Sequence, residues 1–392
     1  MLFPPVDPNE RFRERRAAVR RRKRQRRAAL IGALLLCVAF LAGGAQLVGG
    51  TGKSKSPPAS IAATTTAVSS ERRPLPLELR GVHVTLGLAS LPGKLEEYLA
   101  LQQEGMTALE LDVKEENGQV GFTPSSVPLA REVGSARDYY APRRAARLAH
   151  QAGVYLIGRI VTFEDPILAS SRPDMAIRRS DGSVWRDGAG LAWANPYDKR
   201  VWKYNVDLAV AAARAGFDEI LFDYVRFPSD GDVASAVYRN PDKLAKVAAV
   251  PAFLRYASRR LEPFGVRVSA AVFGLSAARD LGIGQIPRKM SPYLDAVYAM
   301  TYPSLFGPGE LGVADPGAMP GAMVTEALKR FRKALRGRDA LLVTWVQDWS
   351  FEVDYGLDQV RAQVQAARLA GAKGYMLWNA EGVYTDGALA AP

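Results

Sequence analysis

The 392-residue sequence is 48% hydrophobic and 23% charged, as in ordinary globular proteins, and it is long enough for one large domain with accessory segments. Its net charge of +12 would suit a nucleic-acid-binding protein, but residues 1–27 contain eleven Lys or Arg against three acids. Because the remainder is close to neutral, we expect no nucleic-acid partner. The single cysteine, Cys37, excludes a disulfide within the chain and a zinc site made of cysteines.

The amino-terminal region has the pattern of a membrane anchor. Residues 28–50 are uncharged and apolar, and about 20 such residues cross a bilayer as a helix. The cationic residues 1–27 should stay in the cytoplasm as a basic tail, which places the rest of the chain outside it. We therefore predict a single-pass signal anchor at the cell membrane. Cleavage of a signal peptide near residues 43–45, which would release the domain, is the alternative.

Residues 51–79 are rich in Ser, Thr, Ala and Pro and show no amphipathic period. Such a composition is typical of a flexible linker. We expect this linker to separate the predicted anchor from a folded domain that spans residues 80–392.

From residue 80 onward, a short apolar run alternates with a longer helical segment eight times. The runs are residues 80–87, 108–115, 155–163, 219–228, 267–274, 296–304, 341–348 and 374–380. This alternation indicates parallel strands joined by helical crossovers, and eight units predict an α/β fold of the (β/α)₈ TIM-barrel type. An open doubly wound sheet is the alternative, but no Gly-rich dinucleotide-binding loop follows the first run. We expect the last helix to be short or missing after Tyr384.

Polar residues are concentrated at the carboxyl ends of these runs, where such barrels carry their active sites. Asp223 interrupts an apolar run, where a carboxylate is costly without partners, and Arg226 could keep it ionised. Asp348 and Glu164 are further candidate catalytic carboxylates. The candidate substrate-binding residues are Asp112, Lys114, Arg159, Tyr224, Arg226, Tyr302, Gln347, Trp378 and Asn379. A buried Asp–Arg pair that only closes the barrel mouth is the alternative for Asp223.

Strand periodicity gives further expectations for the second run. Asp112 and Lys114 should share one face with Glu110, either as a substrate-binding pair or as a salt bridge that fills the barrel. Residues 115–117 precede Gly118 and are predicted to form an exposed turn. We expect Arg159 to be a structural partner for carboxylates at the rim.

No metal or other cofactor is expected. The two histidines, His83 and His150, are too few and too far apart in the sequence for a metal cluster. The lack of a His/Asp metal cluster also argues against a metal-dependent polysaccharide deacetylase.

A set of motifs resembles a known family. The motifs are RGVHVT, LDVKEENGQVGF, GRIVTFEDP, FDYVRFPSDG, SARDLGIGQ, YAMTYPSLFGPGELGV, TWVQDW and GYMLWNA, and they cover nearly all of residues 80–392. With them the domain resembles a bacterial family of glycoside hydrolase-like domains that is distantly related to the α-amylase-type barrels. The resemblance implies a TIM barrel and a carbohydrate substrate. It also implies an acidic residue in the fifth strand, where this chain has Ala271.

These observations predict an extracytoplasmic glycoside hydrolase that acts on a cell-envelope or extracellular polysaccharide. Asp223 would be the nucleophile or charge stabiliser, Asp348 the acid, and Glu164 the reserve candidate. A catalytically inactive barrel that binds glycans is the alternative, and Ala271 favours it.

Overall fold

The computed structural model describes residues 72–390. The predicted cytoplasmic tail, the predicted membrane anchor and most of the predicted linker lie outside the described residues. Between residues 72 and 390, no helix combines the length and the apolar character that crossing a membrane requires.

Eight parallel strands form a closed barrel in the order in which they occur along the chain. They are β1 (Leu79–Val84), β2 (Ala108–Lys114), β3 (Tyr155–Val161), β4 (Glu219–Asp223), β5 (Arg267–Phe273), β6 (Ala296–Met300), β7 (Leu341–Gln347) and β8 (Gly374–Trp378). β8 pairs with β1 and closes the sheet. The predicted TIM-type barrel is therefore confirmed, and the carboxyl ends of all eight strands meet at one face, called the mouth here.

The helices surround the barrel. They are α1 (Leu86–Ala89), α2 (Lys94–Ala100), α3 (Pro128–Glu132), α4 (Pro142–Gln151), α5 (Pro166–Ser171), α6 (Lys199–Ala215), α7 (Lys246–Leu261), α8 (Pro287–Met290), α9 (Pro320–Ala334) and α10 (Leu357–Leu369). Asp198 caps α6 by accepting a hydrogen bond from the backbone N–H of Arg200, and Gly216 ends it in the left-handed conformation. Apolar side chains of strands and helices form one large buried cluster between the two layers.

The last unit has no helix in the described residues after Trp378. An irregular carboxy-terminal segment takes that place. The Tyr384 hydroxyl accepts a hydrogen bond from the backbone N–H of His83 at 3.0 Å, and Leu389 is buried. Tyr375 on β8 donates to the carbonyl of Ala388 at 2.9 Å. This segment therefore covers the seam between β8 and β1.

The chain enters the barrel at the face opposite the mouth, called the floor here. Arg267, the first residue of β5, donates to the carbonyl of Arg73 at 2.7 Å. Lys373, directly before β8, donates to the carbonyl of Leu77 at 2.9 Å. Residues 72–78 of the predicted linker thus lie against the floor.

Candidate active site

Arg159, on β3, is the centre of a buried cluster at the mouth. Its guanidinium donates to Asp112 at 2.8 Å, to Glu116 at 2.6 Å, and to Asp223 at 2.7 and 3.0 Å. Only 1% of the Arg159 surface is exposed, so its charge requires these partners. One cation therefore faces three carboxyl groups in this Arg159 cluster. The prediction that Arg159 pairs with carboxylates at the rim is confirmed.

Asp223 is the last residue of β4 and is 3% exposed. Its Oδ2 accepts both hydrogen bonds from Arg159, and its Oδ1 accepts from the backbone N–H of Tyr224 at 2.7 Å. Tyr224 has a φ of 48°, in the left-handed region that a tyrosine rarely adopts. Such strain often occurs at functional sites, and here the turn aims Asp223 at the mouth.

Arg226 was predicted as the cation beside Asp223, but the structure shows Arg159 there. The register explains the difference, because β3 pairs with β4 and sets Arg159 opposite Leu221, two residues before Asp223. Arg226 donates to the carbonyl of Phe227 at 3.0 Å, and its guanidinium lies 4.5 Å from the ring centroid of Phe273.

Glu116 was not among the predicted site residues, and the exposed turn predicted for residues 115–117 is wrong. Glu116 is 8% exposed and binds Arg159, while Glu115 and Asn117 are half-buried. The following Gly118 has a φ of 83°, and a Cβ at that position would lie 2.4 Å from Asp165 Oδ1. The glycine thus makes a turn, as predicted, but the turn packs inward against the loop after β3. This packing and the ion pair with Arg159, which are both tertiary contacts, distinguish it from an exposed turn.

The prediction that Asp112 and Lys114 share one face of β2 is also wrong. The pairing between β2 and β3 shifts register between these two residues, which reverses the alternation of side chains. Lys114 is fully buried and donates to Asp165 at 2.7 Å, with its ammonium 5.2 Å from the ring centroid of Tyr204 on α6. It therefore fixes the loop after β3 and lies away from Asp112.

Aromatic rings form one wall of the mouth. His83 stacks on Trp378 with centroids 4.1 Å apart, and Trp378 stacks on Trp345 with centroids 5.1 Å apart. Tyr302 continues the row at 6.3 Å from Trp345. The guanidinium of Arg159 lies 5.2 Å from the Trp378 centroid, so the aromatic wall and the charged cluster form one site.

Beneath the Arg159 cluster lies Glu110, which has no exposed surface. Burial raises the pKa of Glu110 well above its usual range, although Arg159 partly opposes this shift. Burial therefore favours the protonated form of this side chain. Its two oxygens and Oδ2 of Asp112 are buried without a hydrogen-bond partner in the described part of the chain. The two ring nitrogens of His83 also make no hydrogen bond there, although Nε2 lies 3.1 Å from Asp112 Oδ1. Such groups are rare in proteins and are typical of functional sites.

Asp348 and Asn379 lie at the mouth near the carboxy-terminal segment. Thr385 donates its hydroxyl to Asp348 Oδ1 at 2.5 Å and its backbone N–H to Oδ2 at 2.9 Å. Burial raises the pKa of Asp348, and these two hydrogen bonds lower it in part. The Asn379 amide donates to the backbone carbonyl of Asp348 at 2.6 Å. Asp348 is thus held by the segment that replaces the eighth helix.

The remaining predicted residues are also buried near the strand ends. Glu164 follows β3 and is 2% exposed. Gln347 ends β7, accepts from the backbone N–H of Ser304 at 3.0 Å and donates to the carbonyl of Trp349 at 2.9 Å. Ala271 is buried in β5, and its carbonyl accepts from the side chain of Gln285 at 3.0 Å.

Two further features bear on ligand binding. In the described residues, no three His, Cys, Asp or Glu side chains are arranged to hold a metal ion. A cleft of about 720 Å³ lies on the flank of the barrel, between the loop after β2 and helices α4 and α6, and its lining includes no member of the Arg159 cluster. The chemistry of the mouth, rather than the size of this cleft, locates the candidate active site.

Comparison with known proteins agrees with the architecture. A family model described as "Putative glycosyl hydrolase domain" matches residues 81–384. No curated protein sequence matches the chain.

Two solved structures with TM-scores above 0.5 share this fold, and a third is similar over about half of the chain. The glycoside hydrolase domain of PgaB (BpsB) from Bordetella bronchiseptica is 15% identical with a TM-score of 0.58, covering 78% of this chain and 95% of that chain. The catalytic domain of β-amylase from Paenibacillus polymyxa is 12% identical with a TM-score of 0.52, covering 81% and 95%. A hypothetical protein from Ruminiclostridium thermocellum is 33% identical with a TM-score of 0.45, covering 48% and 96%. A shared barrel does not by itself define a reaction.

Proposed function

Because the chain belongs to the glycosyl hydrolase domain family whose model spans residues 81–384, we propose that it hydrolyses a cell-envelope or extracellular polysaccharide. The observation that carries this proposal is the Arg159 cluster, which gathers three carboxylates at the mouth of the barrel. Glycoside hydrolysis needs two carboxyl groups at the scissile bond and needs no cofactor.

Asp223 would be the nucleophile or the stabiliser of positive charge on the sugar. Its contact with the Arg159 guanidinium and its strained neighbour Tyr224 give it a fixed position at the end of β4. Asp348 and Glu164 remain candidates for the acid, and Glu116 joins them. The raised pKa of Asp348 is a property that a general acid needs.

Sugar rings would bind against the aromatic wall, because flat rings offer apolar faces to the C–H faces of a sugar. We assign this role to Trp378 and Tyr302, which are 3% and 0% exposed, so neighbouring side chains would have to move for a sugar to reach them. Polar groups would bind the hydroxyls, namely those of Asp112, Arg159, Tyr224, Arg226, Gln347 and Asn379. Lys114 would contribute only through the loop that it fixes, since its ammonium binds Asp165 and lies away from the Arg159 cluster.

We propose that the domain works outside the cytoplasm and is attached to the membrane through residues 28–50. The entry of the chain at the floor supports this arrangement, because the linker then leaves the barrel on the face opposite the mouth. A long polysaccharide could reach the mouth without obstruction from residues 72–78.

The test is to incubate the full-length chain with cell-wall and exopolysaccharide fractions and to analyse the released products. We expect new reducing ends from at least one fraction. Asp223→Asn should abolish their release while the fold survives, as monitored by circular dichroism. Undiminished turnover by this variant would contradict the assignment of Asp223.

A barrel that binds glycans without hydrolysing them is the second candidate. The absence of an acid at Ala271 favours it, and so does the burial of Asp223, both of whose oxygens already accept hydrogen bonds. In that case a polysaccharide fraction would bind in calorimetry with no release of reducing ends.

A further inference from the structure

We propose that Glu116 is the general acid and base that works opposite Asp223, so that the enzyme hydrolyses its glycan with retention of configuration. This inference rests on the proposed hydrolase function. It assigns the second catalytic carboxyl group to the loop after β2, where neither the strand pattern nor the family resemblance places it.

The carboxyl groups of Glu116 and Asp223 lie close to each other. Glu116 Oε1 and Asp223 Oδ2 accept hydrogen bonds from the same nitrogen, Arg159 Nη2, at 2.6 and 2.7 Å. These two oxygens therefore cannot be farther apart than the sum of those distances. Retaining glycosidases separate their carboxyl groups by about 5–5.5 Å, whereas inverting enzymes need about 6.5–9.5 Å to admit a water molecule. The bound lies below the separation of inverting enzymes, and we take it to favour a double displacement.

The three carboxyl groups bound to Arg159 differ in their exposure to solvent. Among the three carboxylates on Arg159, the side chain of Glu116 is 10% exposed and that of Asp223 is 4% exposed, against 1% for Asp112. Glu116 and Asp223 thus form the solvent side of the cluster, and Asp112 lies deeper beside His83. A sugar that enters the mouth would meet Glu116 and Asp223 first.

The turn that carries Glu116 is held in place by its neighbours. Glu116 lies in a tight turn in which the backbone N–H of Gly118 donates to the carbonyl of Glu115 at 2.9 Å. The turn is fixed against the loop after β3, because Gly118 packs on Asp165 and Lys114 binds the same carboxylate. Catalytic side chains need such support, since small displacements cost much of their effect. In β5, by contrast, Ala271 offers no carboxyl group.

The reaction would proceed in two balanced steps. In the first, an oxygen of Asp223 attacks the anomeric carbon and the bond from that carbon to the glycosidic oxygen breaks. The departing oxygen keeps the electron pair and takes the proton of Glu116. In the second, water attacks the anomeric carbon, Glu116 takes a proton from that water, and the bond to Asp223 breaks. Two inversions give net retention.

The experiment compares Glu116→Gln with Glu115→Gln, its half-buried neighbour, in the full-length chain. The substrate is the polysaccharide fraction that the wild-type chain degrades, and kcat/KM is measured across pH. Glu116→Gln should lower kcat/KM by about 10²–10⁴-fold and remove the alkaline limb of the profile, which reports loss of the acid's proton. Glu115→Gln should stay within about twofold, because it does not touch Arg159. Besides Glu116 itself, Asp112, Asp223 and Glu110 act on this guanidinium, and His83 lies 3.1 Å from Asp112. Both variants leave these groups unchanged.

Several outcomes would overturn the inference. One is a Glu116→Gln variant whose kcat/KM profile keeps its alkaline limb. Another is an Asp348→Asn variant whose profile loses the alkaline limb, because the acid would then be Asp348. If Glu116→Gln does not fold, Glu116→Asp should fold and keep the limb at a reduced rate. An initial product of inverted configuration by ¹H NMR would also contradict the assignment. Turnover that survives Asp223→Asn would instead refute the proposed function itself.

Discussion

The two ends of β4 hold buried carboxylates in opposite chemical settings. Glu219 begins the strand at the floor and Asp223 ends it at the mouth, and both side chains lie on the same face of the strand because they are four residues apart. At the floor, the Tyr155 hydroxyl donates to Glu219 at 3.1 Å. At the mouth, Asp223 contacts the guanidinium of Arg159.

Burial raises the pKa of Glu219, and three neighbouring hydroxyls partly oppose that shift, those of Ser269, Tyr298 and Tyr155. A carboxyl group in such a setting fills the barrel and is expected to contribute to stability only. A carboxylate bound by a cation at the mouth remains available for chemistry, as expected for the carboxyl ends of barrel strands. The partners of the carboxyl group, rather than its burial, therefore distinguish the candidate site from the core.

The largest effect on stability is expected for Arg159→Met. This change leaves Asp112, Glu116 and Asp223 in contact without a cation, and breaking a buried ion pair in this way costs about 3–5 kcal/mol. The free energy of unfolding from urea titration should fall by that amount. Arg159→Lys is the matched control, and it should recover only part of the loss because an ammonium cannot bind all three carboxylates with the guanidinium's geometry. A stable Arg159→Met variant would mean that the carboxylates do not depend on this cation.

A smaller loss is expected for Thr385→Val, which removes the hydroxyl that donates to Asp348 at 2.5 Å. Hydrogen bonds to charged groups contribute about 1.5–3 kcal/mol, so the variant should lose that much stability at pH 7. The pKa of Asp348, already raised by burial, should rise further. Because the lost bond stabilised the carboxylate form, the difference from wild type should shrink in acid, when Asp348 is protonated in both proteins. Thr385→Ser keeps the hydroxyl and should match the wild-type urea midpoint at both pH values.

The smallest effect is expected at the floor. Glu219→Gln keeps an acceptor for Tyr155, so stability near pH 4.5 should stay within about 1 kcal/mol of wild type. The folded-state pKa of Glu219 lies above its usual value of 4.5. As pH rises from 4.5, the unfolded wild-type chain releases a proton that the folded chain retains, which destabilises the folded state. The variant lacks this loss and should become relatively more stable toward pH 8 in urea titrations. A constant difference across pH would contradict the raised pKa.

The fold could be predicted from the sequence because eight alternating runs leave few other architectures. That Asp112, Arg159 and Asp223 contribute to a site at the mouth could also be predicted, because each is a charged residue in a run whose carboxyl end faces the mouth. Their actual partners could not, since Arg159 meets Asp223 through the register between β3 and β4.

Two errors near the site have local physical causes. The register shift after Asp112 reverses the side-chain alternation, so periodicity places Lys114 on the wrong face. Glu116 lies in a turn whose composition is typical of exposed loops, and the packing of Gly118 against Asp165 and the ion pair of Glu116 with Arg159 turn it inward. Irregular backbone of this kind does not follow from a pattern of apolar and polar residues.

One paired measurement tests the central claim that the mouth of this barrel performs the chemistry and the floor does not. The rate of reducing-end release should be measured for Asp223→Asn and Glu219→Gln, two isosteric changes at the two ends of β4, together with the unfolding midpoint of each. We predict that Asp223→Asn folds but loses turnover by at least about 10³-fold, and that Glu219→Gln retains it within about twofold. Equal rates for the two variants would contradict the account.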